Sequence, residues 1–276
     1  MIWKTLIGIA LIALVAFGTA EMMRRSSLFY PDRYPSGDWK QPGLSRSLED
    51  VWFEASDGTR LHGWLAAADS PGAPLLVFFH GNAGNITNRA VPSVTFAERG
   101  LSIFVFDYRG YGRSEGRPSE KALYDDSLAA WDVMRDRHAG PMGVYGESLG
   151  GPYAAYVADR RDPCVAIMDS TFPSLGSVVR EIYRPLPVHW LLRPGLETAK
   201  HLESADVPVL VMHSTVDDVI PFTLGRELYE AIEGTKTFYQ SDSAAHSAMS
   251  WYDGDVYFDT VLDFVLTHCG DGDDRG

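Results

Sequence analysis

"MGVYGESLGGPYAAYVADRR", residues 142–161, runs from a short apolar strand pattern into a helical one through a turn that sets a serine between glycines. Gly146-Glu147-Ser148-Leu149-Gly150 fits G-x-S-x-G, the pattern that presents a serine at the tip of a strand-to-helix turn. The glycines have a physical reason. A serine in such a turn adopts a strained conformation, and side chains at 146 and 150 would collide with the neighbouring strand and helix. Pro152 falls in the first helical turn, where a missing N–H costs nothing. A Gly-rich helix start with an idle serine has the same local pattern, so the surrounding chain has to decide.

Working outward, "PLLVFFHG" (74–81), "LSIFVFDYRG" (101–110), "CVAIMDS" (164–170) and "PVLVMHS" (208–214) are near-continuous apolar runs. Such runs suit parallel strands covered on both faces. Helical patterns separate them around Ala90 to Arg99, Glu120 to Arg137 and Tyr153 to Arg160. Upstream, "VWFEA" and "RLHGWLA" flank Asp57-Gly58 and read as an antiparallel hairpin. The order predicts an α/β fold: a mostly parallel, doubly wound sheet with an N-terminal antiparallel hairpin. In such sheets ligands gather at the carboxyl ends of the strands. His80-Gly81-Asn82, Asp107 through Gly110, Gly146-Glu147-Ser148, Asp169-Ser170 and His213 through Asp217 all fall on that edge.

A serine hydroxyl is a poor nucleophile near neutral pH, so chemistry at Ser148 requires a histidine base and an acid to orient it. This arrangement supplies them in the chain order Ser, Asp or Glu, His. "VPVLVMHSTVDDVIPF" ends a strand in a turn with Asp217 and Asp218, and "KTFYQSDSAAHSAMS" ends one in a loop with His246. Asp217 is the first choice because it comes first after the strand-ending turn. Asp218 suits solvent or a helix cap, and Asp169 is a second possible acid position. His62, His138, His189 and His201 precede the acid; His80 precedes the serine, His213 ends a strand, and His268 lies in the last helix. Two backbone N–H groups are needed for the developing oxyanion: one from Leu149 and one from the "FFHGNAGN" turn, with Asn82 preferred to Ala83.

Together "HGNAGN", "DYRGYGRSEG", "GESLGG", "MDSTF", "VLVMHSTVDDVIPF" and "AAHS" resemble the α/β-hydrolase superfamily. The likeness is to small membrane-anchored serine hydrolases of the serine aminopeptidase-like and monoacylglycerol-lipase-like group. The resemblance implies a Ser148, Asp217, His246 triad with Asn82 and Leu149 at the oxyanion hole, and no cofactor or metal. It also implies that Asp107, Arg109 and Gly110 shape the loop beside the site. Glu147 stands where relatives with this anchor often carry a basic residue.

The expected division is an N-terminal apolar segment at 1–26, a connector at 27–49, the hydrolase domain at 50–269 and a disordered acidic tail at 270–276. A short helical cap insertion at about 171–206 carries Phe172, Tyr183, Trp190, Leu191 and Leu192; it could cover an acyl chain or only the end of the sheet. Thr5 to Ala20 is uncharged, and as a helix would reach about 24 Å, a little short of the ~30 Å hydrocarbon layer. Small residues Gly18 and Ala20 make a cleaved signal the alternative to an anchor. Basic residues flank both ends, which leaves sidedness open.

Twenty-four Lys and Arg against 37 Asp and Glu leave a formal charge of −13. That balance argues against phosphate-backbone binding, so no nucleic-acid partner is expected. Cys164 and Cys269 lack zinc-site spacing and form no disulfide framework; Cys164, in an apolar run, reads as a small core residue. The expected activity is a serine esterase, thioesterase or lipase-like hydrolase acting on small-molecule esters or thioesters. Two other readings stay open: a catalytically silent membrane-tethered binding protein of the same fold, and an acyltransferase.

Overall fold

The computed structural model describes residues 28–41, 43–182 and 195–270. The N-terminal apolar segment, Tyr183, Trp190, Leu191 and Leu192 of the expected cap, and the acidic tail after Gly270 lie outside them. Ten strands are present among the described residues: β1 (Tyr30–Pro31), β2 (Glu49–Glu54), β3 (Arg60–Ala66), β4 (Leu75–Phe79), β5 (Ala83–Gly84), β6 (Ser102–Asp107), β7 (Met142–Glu147), β8 (Ala166–Asp169), β9 (Val209–Ser214) and β10 (Lys236–Ser241). The helices are α1 (Ala90–Glu98), α2 (Glu120–Arg137), α3 (Gly150–Arg161), α4 (Leu175–Ile182), α5 (Thr198–Ser204), α6 (Phe222–Ala231), α7 (Met249–Tyr252) and α8 (Asp255–Cys269).

Eight strands form one sheet in the order β10-β9-β8-β7-β4-β6-β3-β2, and it is mostly parallel with an N-terminal antiparallel hairpin, as expected from the sequence. Only β3 runs against the others, pairing antiparallel with β2 and with β6. Side chains alternate across the pleat: Val77 and Phe79 enter one apolar cluster with Leu123, Trp131 and Tyr153, while Leu76 and Phe78 enter another with Phe96, Phe258 and Val261. The sheet is thus buried on both faces, which is why its central strands carry no polar alternation.

From β4 the chain steps one way to β6, then returns past β4 to β7 and continues outward to β10. The reversal opens a crevice beyond the carboxyl ends of β4 and β7. Parallel register places Phe79 opposite Gly146, so the turn after β4 and the serine after β7 leave the sheet side by side.

Two features differ from the sequence reading. Tyr30–Pro31, within the stretch read as a connector, pairs in parallel with Ala83–Gly84 in a small second sheet. Cys164, read as an unpaired core residue, is bonded to Cys269, with Cα atoms 5.2 Å apart. The bond fastens the end of α8 to the loop before β8 across 105 residues of chain. No local signal marks such a pairing, because it depends on where the sheet brings the two ends.

Closing so long a loop restricts the unfolded chain, so Cys269→Ala is expected to cost about 2–5 kcal/mol of folding stability. Chemical denaturation with and without reductant checks this. The reduced wild type should match the variant, and a midpoint insensitive to reductant would contradict the bond.

Candidate active site

The serine turn has the strain that its glycines suggest. Ser148 lies at φ +51°, in the left-handed region, and its N–H donates to the carbonyl of Asp169 at 2.8 Å. Its own carbonyl accepts from Thr171 Oγ1 at 2.7 Å and from the N–H of Gly151 at 3.0 Å. A side chain at position 150 could not be accommodated, because its Cβ would fall 1.9 Å from the carbonyl oxygen of Phe79. The Asp169 carbonyl, the Thr171 hydroxyl and the Gly151 N–H therefore hold Ser148 in a conformation that an unsupported chain would leave.

His246, in the loop after β10, reaches Ser148 from the other side of the crevice. Its Nε2 lies 2.8 Å from Ser148 Oγ, and its Nδ1 lies 2.8 Å from Asp217 Oδ2. Since an ionised carboxylate can only accept, Nδ1 carries the proton and Nε2 is left to accept from the serine hydroxyl. The Asp217 carboxylate is fully buried, and its Oδ1 accepts the N–H groups of Val219 and Ile220 at 2.9 and 2.8 Å. Burial alone would raise its pKa. The His246 hydrogen bond and charge and the two N–H donors outweigh burial and hold the carboxyl below the usual range.

The structure separates Asp217 from the other candidate acids. Asp218 Oδ1 accepts the main-chain N–H of His246 at 3.4 Å, which steadies the loop without touching the ring. Asp169 Oδ2 accepts from the hydroxyls of Tyr145 and Tyr257, and its Oδ1 from Ser170 Oγ. Burial pushes the Asp169 carboxyl up to about 6. His80 turns its Nδ1 to the carbonyl of Gly81, and burial drives it down to about 3. It sits neutral in the core. His213 is also buried, facing the carbonyl of Ile220.

The "HGNAGN" turn lies against the serine: a Cβ built on Gly81 would be 3.5 Å from that of Ser148. Asn82 is held by its carbonyl, which accepts from Tyr111 Oη at 2.9 Å. Leu149 directly precedes α3. Among the described residues, no protein acceptor takes the N–H of Asn82 or of Leu149. Asp107 and Arg109 shape the adjoining loop: Asp107 Oδ1 accepts the N–H of Ile86 at 3.0 Å, and Arg109 pairs with Asp126 and Asp57 at 2.6 and 2.7 Å.

Glu147, whose surroundings the sequence leaves open between solvent and a neighbouring cation, pairs closely with Arg89 at the end of the turn that begins at Ile86; both are largely buried. Spacing gives no hint of this pair, since 58 residues separate the partners. Glu147, Asp169 and His246 line a cavity of about 610 Å³ together with Arg89, Ser247 and Trp251. Among the described residues no cluster of three His, Cys, Asp or Glu is arranged to hold a metal.

Carboxylates set the basicity of the His246 imidazole. Burial would lower His246, but the Asp217 hydrogen bond and charge, followed by the charges of Glu147 and Asp169, outweigh it and raise the imidazole above its ordinary value.

Comparison with known proteins places this geometry in context. The family described as serine aminopeptidase, S33, matches residues 71–176. The chain is 33% identical over 267 residues to the uncharacterized protein Rv2307c of Mycobacterium tuberculosis, covering 93% of each. It is 28% identical to the lysophosphatidylserine lipase ABHD12 of Rattus norvegicus, over 71% of this chain and 54% of that protein. The esterase Pf2001 of Pyrococcus furiosus superposes with a TM-score of 0.70 at 20% identity, covering 88% of this chain and 99% of the esterase.

A base must be neutral to accept a proton, so activity should rise with pH, with an acid-limb midpoint above the ~6.5 of an unperturbed imidazole. Asp217→Asn is expected to lower kcat/KM by about 10²–10⁴-fold and to move the residual limb down. A pH profile of kcat/KM tests both, and a wild-type midpoint below 6.5 would contradict the electrostatic account.

Proposed function

We propose a serine esterase mechanism for this chain, which belongs to the α/β-hydrolase superfamily and is a hydrolase. The reaction assigned to it is hydrolysis of carboxylic esters or thioesters through an acyl-enzyme on Ser148. The observation that carries this reading is the unbroken chain from Asp217 through His246 to Ser148, with both links at 2.8 Å.

In the first half-reaction Ser148 Oγ attacks the substrate carbonyl while its proton passes to His246 Nε2. The carbonyl π electrons move onto oxygen, where the free N–H groups of Leu149 and Asn82 receive the charge; each such donor is worth about 3–4 kcal/mol at the transition state. Collapse expels the alcohol or thiol, which takes the proton from His246. In the second half, water loses a proton to His246, attacks the acyl carbon and releases the acid, and the proton returns to Ser148. Asp217 stabilises the imidazolium at each stage without taking its proton.

Lipid-derived acyl substrates are the class we favour. The apolar run Thr5 to Ala20 supports an anchor that would keep the crevice near a bilayer, and a relative 28% identical is named a lysophosphatidylserine lipase. The Cys164–Cys269 bond supports an oxidising surrounding for the domain. Water as the acyl acceptor is the simpler assignment, and added alcohols should leave the free acid as the main product.

A fluorophosphonate probe should label Ser148, and Ser148→Ala should lose labelling and at least about 10⁴-fold of p-nitrophenyl ester hydrolysis. A folded wild type that neither labels nor hydrolyses esters of any chain length would overturn the assignment. N-terminal sequencing of protein from its native host checks the anchor, and a mature start at Glu21 would reject it.

A further inference from the structure

Residues 28–36 form a strap across the outer side of the "HGNAGN" turn. Tyr30–Pro31 pairs with Ala83–Gly84, and the N–H of Tyr30 donates to Asn82 Oδ1 at 3.0 Å. The N–H of Asp32 donates to the carbonyl of Gly84 at 3.1 Å. Asn85 Nδ2 returns two hydrogen bonds, to the carbonyls of Asp32 and Ser36 at 3.0 and 2.9 Å. The strap is itself fixed to the loop after β6: Tyr34 N–H donates to the carbonyl of Gly112 at 2.8 Å, and Gly112 N–H to that of Asp32 at 2.9 Å. Tyr111 grips Asn82 from this same loop. The turn is therefore clasped from two sides.

Apolar burial accounts only for the start of the strap. Phe29 is buried in the core and Leu28 packs half-buried against it, whereas Tyr30 and Tyr34 are more than half exposed. The strap's side chains make their directed contacts elsewhere, Arg33 with the carbonyl of Gly116 and Tyr34 with Trp39 and Arg113, whereas the main-chain N–H groups of Tyr30 and Asp32 end on the turn assigned the second oxyanion donor. That turn contains Gly81 and Gly84, with Gly84 at φ +81°, so its own backbone resists reorientation weakly. An oxyanion donor acts through preorganisation: a turn that must be ordered during the reaction loses much of its electrostatic advantage.

We infer that the strap Leu28–Ser36 is a positioning element for the oxyanion-hole turn, acting through the Tyr30 N–H bond to the Asn82 side chain. The inference rests on the esterase reading above and adds an element outside the triad to it. The Asn82 side chain orients its own backbone by accepting from the strap, and touches no reacting atom.

The test uses full-length protein and active sites titrated with the fluorophosphonate probe. Tyr30→Pro removes the donor N–H, Asn82→Ala removes the acceptor, and Tyr30→Ala keeps the N–H. Tyr30→Pro and Asn82→Ala are each expected to lower kcat per titrated site by about 10- to 100-fold, with KM within about threefold and the acid limb of the pH profile unmoved. The double variant should be no worse than the poorer single, because both remove one bond. Tyr30→Ala should stay within about threefold of wild type in kcat. If Asn82→Ala folds and keeps its kcat within about threefold, the inference is overturned, whatever Tyr30→Pro does. Equal losses in Tyr30→Ala and Tyr30→Pro would also overturn it, by placing the effect in the side chain. Failure of the wild type itself to label or turn over esters is a separate result: it overturns the esterase reading, and the strap's role with it.

Discussion

The main-chain register that sets Phe79 beside Gly146 is the constraint from which the site follows. At the reversal of strand order, β4 and β7 are neighbours, and their ends release two turns of different purpose into the same crevice. One turn holds a serine at positive φ; the other offers backbone N–H groups. A one-residue slip in this pairing would separate them and turn alternate side chains to the wrong face of the sheet. The approach is so close that glycine at 150 is a packing requirement, with the Phe79 carbonyl occupying the space a side chain would need. The rest of the constellation, Asp217 and His246, hangs from the more distant edge of the same sheet, so its geometry depends on the register too.

The electrostatics reinforce that geometry. Three carboxylates surround the imidazole, but they are held by different means: Asp217 by His246 and two backbone donors, Glu147 by Arg89, and Asp169 by two tyrosines and a serine. Only Asp217 bonds to the ring. The other two act on His246 through the field of a poorly hydrated site, where charge carries further than in water. A serine flanked by acidic residues is thereby paired with a base more strongly proton-binding than a free histidine.

Much of this was legible in the chain, and the reason is local chemistry. The hairpin, the apolar parallel strands, the serine turn and the preference for Asp217 over Asp218 each depend on residues near one another in sequence. They follow the periodicity and turn rules that short segments obey. The unforeseen features join distant positions: Cys164 with Cys269, Arg89 with Glu147, Tyr257 with Asp169, and Tyr30 with Asn82. A polar or sulfur-bearing side chain states what bond it can make, but not with whom. The segment around Tyr30 was harder still, because Tyr30 and Asp32 meet the turn through their backbone, and "LFYPDRYPSG" carries the prolines and glycine of an ordinary linker.

The tyrosine at position 257 has a consequence in time as well as space. It lies in α8, more than a hundred residues after Ser148, yet its hydroxyl reaches Asp169, whose backbone carbonyl accepts the serine's own N–H. His246, too, comes late. A ribosome delivers the chain in order, and the earlier strands can collapse while the later ones are still unmade. During that interval Ser148 stands on its turn without His246 and without the tyrosine that braces the neighbouring strand end. The Asp217–His246–Ser148 arrangement and its Tyr257 brace can therefore close only after β10 and α8 have both been made and docked against the sheet.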